Sequence, residues 1–214
     1  MKKSELRQDL VSGDWIVIAP GRSRRPHRPI KKNKRKISPL AGCPFEDPAK
    51  SGQEKPYLIY PNKHGWAVQV LPNKYPVLSH PVRKHFKTRL FKHGVYSIFS
   101  AIGHHDLVIS RDHYKNFPKL KKENAQLVFQ AFRDRYLMLN QDKFTAYVSI
   151  LHNWGPEAGA SIYHPHYQIL AIPVVPSDVQ HSLTGSSRYF EKHKKCVHCA
   201  MIDWELKEKK RIIF

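Results

Sequence analysis

One segment of this sequence has the periodicity of an amphipathic helix, and the segments around it are short and typical of β-strands. Between about residues 123 and 139, apolar side chains recur every three or four positions. These positions are Ala125, Val128, Phe129, Phe132, Tyr136 and Leu139. Pro118 lies upstream, where a helix can begin but not continue through the proline. One long helix among strands predicts a sheet with a helix packed on one face.

The strand-like segments are joined by short connections rich in glycine, proline and asparagine. The predicted strands are 10–11 and 15–18 with a turn at 12–14, 58–60 and 66–71 with a turn at 61–65, 106–110, 145–151 and 166–172. Short connections favour antiparallel pairing, because parallel strands need long crossovers. The sequence therefore predicts an α+β fold, an antiparallel sheet with a packed helix.

The size and composition favour a soluble protein. A chain of 214 residues, 41% of them hydrophobic, can form one domain or one domain plus part of a second. No segment approaches the roughly 20 apolar residues of a membrane-spanning helix. The first ten residues, MKKSELRQDL, have no apolar run behind their lysines and do not resemble a secretory signal. We expect a cytoplasmic protein that does not bind membranes.

The chain is strongly basic, with a net charge of +20. Such a charge attracts nucleic acids, anionic lipids and small phosphorylated molecules alike, so it does not choose among them. Residues 22–36 contain nine lysines and arginines and no acidic residue, which predicts a loop or an arm without its own core. No aromatic residues are interleaved there to stack on bases, so nucleic acid is an unlikely partner.

The sequence H-P-H-Y-Q at 164–168 is the most informative motif. In a strand, alternate residues share a face, so His164, His166 and Gln168 are predicted to point the same way. Pro165 cannot donate a hydrogen bond to a neighbouring strand, which predicts a sheet edge or a bulge at this point. Taken alone, the motif is equally compatible with a polar strand that faces solvent.

Six further motifs accompany H-P-H-Y-Q, and together with it they resemble the galactose-1-phosphate uridylyltransferase branch of the histidine-triad superfamily. In chain order they are residues 13–20 with Arg22 and Arg25-Pro26, Cys43-Pro44-Phe45, Pro72–Pro76, Gly103–Ile109, Asp112-His113 and Asn153-Trp154-Gly155. The resemblance runs nearly end to end. It implies a histidine-triad-like repeat over residues 1–176, followed at 177–214 by a linker and the beginning of a second, truncated repeat.

The resemblance implies that His166 attacks the α-phosphorus of a nucleoside diphosphate sugar. A neutral imidazole is a good nucleophile near pH 7. The resulting nucleotidyl-histidine would then pass its nucleotide to a second sugar 1-phosphate. In this superfamily a glutamine at position 168 marks transferases, whereas a histidine there marks hydrolases. Gln168 is expected to donate a hydrogen bond to a phosphoryl oxygen.

The resemblance also implies six substrate-binding residues. They are Arg22, Arg25, Asn73, Asn153, Gly159 and Ser161. The arginines would hold phosphates, since a planar guanidinium does this well; as alternatives, they are solvated loop charges and Asn153 caps a turn. Lys74, directly after Asn73, stands where the family pattern has an acidic residue. The identities of the nucleotide and of the sugar therefore stay open.

A structural zinc ion is the cofactor that the resemblance implies. Cys43, His113 and His164 occupy three of the family's ligand positions, and Glu46 occupies the fourth in place of a cysteine. A carboxylate oxygen can bind zinc, although it is a harder ligand than a thiolate. The alternative is that the metal site has been lost and that Cys43 is a buried thiol.

Cys196 and Cys199 form a C-x-x-C pair that suits a metal better than a disulfide, since the chain has only three cysteines. Some relatives bind a second zinc here with histidines of their C-terminal repeat. The sequence ends on Ile212, Ile213 and Phe214, which predicts a truncated chain and an incomplete second metal site. The full-length protein is expected to be a homodimer.

Two other functions remain open at this stage. One is phosphorolysis by the same histidine, acting on ADP-glucose, adenylyl sulfate or diadenosine tetraphosphate, with Tyr167 and Lys74 as the residues most able to discriminate. The other is a non-catalytic nucleic-acid-binding module that uses the basic segment 22–36.

Overall fold

The computed structural model describes residues 4–8, 14–24, 37–63, 65–79 and 90–213. Arg25 and the rest of the basic segment 25–36 lie outside the described residues. The strands are Glu5–Gln8 (β1), Trp15–Ile18 (β2), Leu58–Asn62 (β3), Gly65–Pro72 (β4), Leu90–His93 (β5), Tyr96–Ser100 (β6), His104–Ser110 (β7), Tyr147–Leu151 (β8) and His166–Ile172 (β9). The α-helices are Lys122–Leu139 (α1), Ser177–His193 (α2) and Val197–Glu208 (α3), and short 3₁₀ helices lie at Pro20–Arg24 and Phe117–Lys119.

The described strands form two antiparallel sheets. The larger has the order β3-β4-β7-β9-β8, and the smaller has the order β2-β1-β6-β5. Helix α1 packs on one face of the larger sheet, where a buried core includes Val68, Val108, Val128 and Ile169. A second cluster, around Leu6 and Leu78, joins the smaller sheet to the end of β9. The predicted α+β fold is confirmed.

The face of α1 that is buried differs from the predicted stripe. Phe129 and Tyr136 are 60% and 44% exposed, whereas Ala131 and Arg135 are buried. Arg135 donates from Nε to Oδ2 of Asp106 on β7 at 2.8 Å, and its guanidinium stacks on Tyr57 with 3.9 Å from Cζ to the ring centroid. This buried ion pair lies beneath α1, so the helix presents to the sheet a charged residue that lies outside the predicted apolar stripe.

Strand β9 is an interior strand, so the sheet edge predicted at Pro165 is wrong. Pro165 directly precedes β9, and pairing with β7 begins at His166 and pairing with β8 at Gln168. The proline therefore removes no hydrogen bond from either ladder. Gly103, at the start of β7, fixes the close approach of these strands, because a Cβ at this position would overlap the carbonyl oxygen of Ala171 on β9.

Other boundaries differ by a few residues from those predicted. The first hairpin pairs Glu5–Gln8 with Trp15–Ile18, while Leu10 and Val11 lie outside the described residues. The second hairpin has a shorter turn, since β3 extends to Asn62 and β4 begins at Gly65. Within the segment 177–214, predicted as a linker and the beginning of a second, truncated repeat, the described residues form helices α2 and α3, and neither helix has a buried residue. None of the described helices combines the length and the apolar character that crossing a membrane requires.

Candidate active site

His166 opens β9 with its imidazole held in one tautomer. Its Nδ1 lies 3.0 Å from the main-chain carbonyl oxygen of His164. A carbonyl oxygen only accepts, so Nδ1 must carry the hydrogen, and the neutral ring has its lone pair on Nε2. The ring is 6% exposed and contacts Phe45 edge-on, with 5.2 Å between centroids. A neutral imidazole with a defined basic nitrogen is what nucleophilic attack requires.

Gln168 lies on the same face of β9 as His166, as the alternation predicts. Both side chains line a cavity of about 540 Å³, and His164, which precedes the strand, lines it as well. The intervening Tyr167 lies on the opposite face, 3% exposed, against Phe117 and Phe132 under α1. The expectation that Tyr167 discriminates between substrates is therefore wrong for this cavity, because its ring belongs to the α1 core.

The cavity collects residues from segments that are distant in sequence. Arg22 enters from the 3₁₀ helix and donates from Nη1 to the carbonyl oxygen of Tyr75 at 2.9 Å. Asn73, Lys74 and Tyr75 follow β4 and line a second side of the cavity. Ser161 precedes the H-P-H-Y-Q motif and lines a third side. Arg22 and Lys74 give this part of the wall a positive charge, which suits a phosphorylated ligand.

Two predicted binding residues lie away from the cavity wall. Asn153 and Gly159 are exposed, and neither is among the residues that line the cavity. Gly159 has φ +71°, in the left-handed region that favours glycine, so its role in this structure is to turn the loop before Ser161. Arg25 lies outside the described residues.

Cys43, Glu46, His113 and His164 come together beside the cavity. One potential ligand atom from each lies within 4.8 Å of the others. Glu46 Oε1 is 2.9 Å from Nδ1 of His113 and 3.2 Å from Nδ1 of His164, and Cys43 Sγ is 3.6 Å from the latter nitrogen. The predicted cluster is therefore assembled from three segments of the chain.

Main-chain carbonyl groups orient the imidazoles of His113 and His164 by accepting hydrogen bonds from their Nε2 atoms. His164 Nε2 donates to the carbonyl oxygen of Ser110 at 2.7 Å, and His113 Nε2 donates to that of Ser38 at 2.9 Å. In the neutral rings the lone pairs are thus on Nδ1, the atoms that face Glu46. Such outer hydrogen bonds are typical of histidines that bind metals.

Burial favours the neutral forms of His164 and Cys43. It lowers the pKa of His164, which the charge of Glu46 opposes, and burial raises the pKa of Cys43. A carboxylate oxygen that faces two imidazole lone pairs is unfavourable unless a cation lies between them. The two nitrogens, one oxygen and one sulfur fit a metal ion, and zinc accepts all three ligand types.

Cys196 and Cys199 do not form such a cluster. Both are exposed at the start of α3, and the described residues offer no third histidine, cysteine or carboxylate ligand close enough to complete a site with them. The main-chain amide and the thiol of Cys199 lower the pKa of Cys196. A metal at this pair stays a prediction.

Phe45 and His105 are two site residues whose roles the sequence does not reveal. Phe45 is 1% exposed and contacts the rings of both His164 and His166. His105 Nε2 lies 2.8 Å from Oε1 of Gln168. Alternation along β7 places His105 on one face with Leu107 and Ile109, but the register that brings it to Gln168 is not readable from the sequence.

The chain is similar to known proteins in both sequence and fold. The family described as galactose-1-phosphate uridyl transferase, N-terminal domain, matches residues 1–176. The chain is 31% identical over 202 residues to ADP-glucose phosphorylase of Arabidopsis thaliana, covering 91% of this chain and 56% of that protein. It is 26% identical over 209 residues to galactose-1-phosphate uridylyltransferase of Thermotoga maritima, covering 96% and 58%.

A solved structure of a uridylyltransferase mutant superimposes with a TM-score of 0.73 at 25% identity, covering 98% of this chain and 57% of that one. The chain thus spans somewhat more than half the length of the proteins it matches.

Proposed function

This chain belongs to the galactose-1-phosphate uridylyltransferase family, and we propose on that basis that it transfers a nucleoside monophosphate through His166. The donor is a nucleoside diphosphate sugar and the acceptor is a sugar 1-phosphate. The observation that carries the proposal is the hydrogen bond from His166 Nδ1 to the His164 carbonyl oxygen, at the wall of a positively charged cavity. It supports Nε2 as the attacking atom.

The reaction has two half-steps. In the first, Nε2 of His166 forms a bond to the α-phosphorus, the bond from that phosphorus to the bridging oxygen breaks, and sugar 1-phosphate leaves with the oxygen. In the second, a phosphate oxygen of the acceptor attacks the same phosphorus and the bond to Nε2 breaks. Gln168 stabilises the negative charge on the non-bridging oxygens in both steps by donating from its amide.

The cavity residues have distinct proposed roles in binding. Arg22 and Ser161 bind phosphate oxygens, and Asn73 contacts the nucleoside. The arginine is held by Tyr75, which limits its freedom before substrate arrives. Arg25, Asn153 and Gly159 remain proposed contacts of the family pattern.

Zinc is the metal proposed for the cluster of Cys43, Glu46, His113 and His164. When bound, it supplies a fixed, positively charged centre that joins the three segments. His164 then contributes its side chain to the metal cluster and its carbonyl oxygen to His166. The ion has a structural role in this proposal, since His166 itself needs no Lewis acid to attack.

Phosphorolysis of ADP-glucose is the second candidate function. Lys74 favours it, because this exposed cation stands at the cavity where the uridylyltransferase pattern has an acidic residue. The 31% identity to an ADP-glucose phosphorylase points in the same direction. The first half-step is the same as in the nucleotidyl transfer proposed above. The two reactions differ only in the base of the nucleotide and in the acceptor. The nucleic-acid-binding alternative has less support, since no aromatic residues are interleaved in the basic segment 22–36 to stack on bases.

Mass spectrometry of the intact chain tests the proposal directly. The protein is incubated separately with UDP-glucose and ADP-glucose, and the mass of the adduct identifies the nucleotide. The labelled chain is then treated with galactose 1-phosphate or inorganic phosphate, and the released product identifies the acceptor. Labelling of His166→Asn equal to the parent, or no labelling with either donor, would contradict the proposal.

The remaining sequence predictions concern the whole protein. We propose nucleotide sugars and sugar phosphates as its partners and a homodimer as its assembly when full length. The cytoplasmic location likewise stays a proposal.

A further inference from the structure

We propose that His105 is a positioning residue that fixes the orientation of the Gln168 amide, an inference that rests on the proposed function. Three hydrogen-bonding groups carry it: the main-chain N–H of Val77, the imidazole of His105 and the side-chain amide of Gln168. They form a chain that runs from the main chain beside β4 to the cavity. The direction in which these groups donate their hydrogens determines which end of the Gln168 amide faces the substrate.

The tautomer of His105 follows from its contact with Val77. The Val77 N–H donates to Nδ1 of His105, with 3.1 Å between the nitrogens. A main-chain N–H can only donate, so Nδ1 must be the unprotonated nitrogen. The neutral ring therefore carries its hydrogen on Nε2. His105 is 4% exposed, so little water can compete for either nitrogen.

The orientation of Gln168 follows from that tautomer. His105 Nε2 lies 2.8 Å from Oε1 of Gln168, and with its hydrogen on Nε2 the histidine donates to this oxygen. The carbonyl end of the amide is thus bound to His105, and the NH₂ end is left for other partners. A phosphoryl oxygen needs a donor; the reversed amide would present a carbonyl oxygen to it and repel it.

Asn73 offers a hydrogen bond that competes with this assignment. Its Oδ1 accepts from the Tyr75 N–H at 2.9 Å, and its Nδ2 lies 3.0 Å from His105 Nε2. Donation from Asn73 to His105 would require an unprotonated Nε2 and hence a hydrogen on Nδ1. That hydrogen would oppose the Val77 N–H, so the Asn73 amide hydrogens must be directed elsewhere.

The sheet register explains why His105 can act on Gln168. Leu107 on β7 is directly opposite Gln168 on β9, and His105 is opposite Leu170. His105 and Gln168 are therefore diagonal neighbours on one face of an antiparallel pair, a separation that long side chains bridge. The same face carries His166, so the positioning residue and the nucleophile belong to one layer of side chains.

Two substitutions at His105 separate positioning from mere packing. In His105→Gln the amide nitrogen can reach the position of Nε2, whereas in His105→Asn it reaches only that of Nδ1. Single-turnover nucleotidylation of the chain by its donor is measured for both. We expect His105→Asn to slow the reaction about tenfold or more, the lower bound for losing a hydrogen bond to a charged group, and His105→Gln to restore most of the rate.

The same variants are then combined with Gln168→Ala. If His105 acts through Gln168, His105→Asn should slow the Gln168→Ala chain by less than about twofold, because coupled residues are not additive. Equal slowing in both backgrounds would overturn the inference. So would a His105→Gln chain that folds with the parental stability yet reacts as slowly as His105→Asn.

Nitrogen-15 NMR of the parent chain tests the tautomer without any reaction. The expected result is a hydrogen on Nε2 of His105 and none on Nδ1, and a hydrogen on Nδ1 would overturn the inference. This readout also separates two failures: absence of labelling in the parent chain contradicts the proposed function alone, whereas the wrong tautomer contradicts the positioning role.

Discussion

The Nδ1–H of His166 is donated to the main-chain carbonyl oxygen of His164, 3.0 Å away, while the His164 side chain faces the cluster of Cys43, Glu46 and His113. One residue thereby connects the candidate metal site to the candidate nucleophile. The contacts of the His164 side chain within the cluster hold the backbone at 164 in place. The carbonyl oxygen of this backbone in turn fixes the tautomer of His166. Stability and reactivity are therefore linked through a single peptide unit.

His166→Asn should abolish covalent labelling by a nucleotide sugar, because no nucleophilic nitrogen remains at the cavity. His164→Asn should keep a carbonyl oxygen at 164 and mainly lose metal and stability. His181→Asn, on the exposed surface of α2, is the matched control and should label like the parent. Intact mass spectrometry measures all three, and a labelled His166→Asn chain would refute the assignment.

Gln168→Ala should slow adduct formation without preventing it. A hydrogen bond to a charged group contributes roughly 1.5–3 kcal/mol, so the single-turnover rate constant should fall by about 10- to 150-fold. Gln180→Ala, on the exposed face of α2, serves as the control. An unchanged rate constant in Gln168→Ala would remove this residue from the mechanism.

Glu46→Ala should lose the metal together with thermal stability. An ion held by these four residues would join three segments, so its binding free energy would contribute to the free energy of folding. We expect about one zinc per chain at this site in the parent, tighter binding in Glu46→Cys, and no change in Glu54→Ala, an exposed carboxylate outside the cluster. Elemental analysis and thermal unfolding in chelator measure these effects; metal-free protein of full stability would contradict them.

Tyr167→Phe should be neutral or stabilising near pH 7. The Tyr167 hydroxyl is buried and has no hydrogen-bond partner in the described structure, so its removal also removes a desolvation penalty. Tyr60→Phe is the matched comparison and should destabilise the protein by about 1–3 kcal/mol, because the Tyr60 hydroxyl donates to Asp134 at 2.8 Å. Chemical denaturation measures the stability of both variants. Greater destabilisation by Tyr167→Phe would show that the Tyr167 hydroxyl has a hydrogen-bond partner.

Tyr167 should also make stability depend on pH in the alkaline range. Burial raises its pKa to about 12 from 10.0. In the unfolded chain the phenol ionises near its ordinary pKa. Above that pH the unfolded state therefore binds fewer protons than the folded state. The folded state loses stability as pH rises from about 10 to about 12. The loss should reach about 2–3 kcal/mol and should be absent in Tyr167→Phe. Identical pH profiles would contradict it.

Asp106→Asn should destabilise the fold by about 3–5 kcal/mol, because it leaves the Arg135 charge buried without its ionic partner. Both side chains are almost fully buried, at 1% and 5% exposure. The double variant Asp106→Leu with Arg135→Met should recover most of this loss, since an apolar pair of similar volume leaves no charge buried. Denaturation of the three variants measures the effect, and a stable Asp106→Asn chain would show that Arg135 reaches solvent.

Much of the candidate site is predictable because its residues lie in short motifs. His166 and Gln168 are separated by one residue of a strand, and alternation alone places them on one face. Asn153 and Gly159 belong to the same family pattern, yet the structure leaves them outside the cavity wall. Their position depends on the path of an exposed loop, which no local periodicity determines.

The sequence by itself determined the helix predicted at 123–139, most of the strands of the larger sheet, and the alternation that aligns His166 with Gln168, but it did not predict β5, β6, α2 or α3. The predicted features follow from local hydrogen bonding and side-chain periodicity, which act over a few residues. Only the tertiary structure decided the rotation of α1, which buries Arg135 against Asp106 and exposes Phe129. It also decided the register of β7 on β9, which brings His105 to Gln168. Both depend on how complementary surfaces pack and pair across long sequence separations, which the local pattern does not encode.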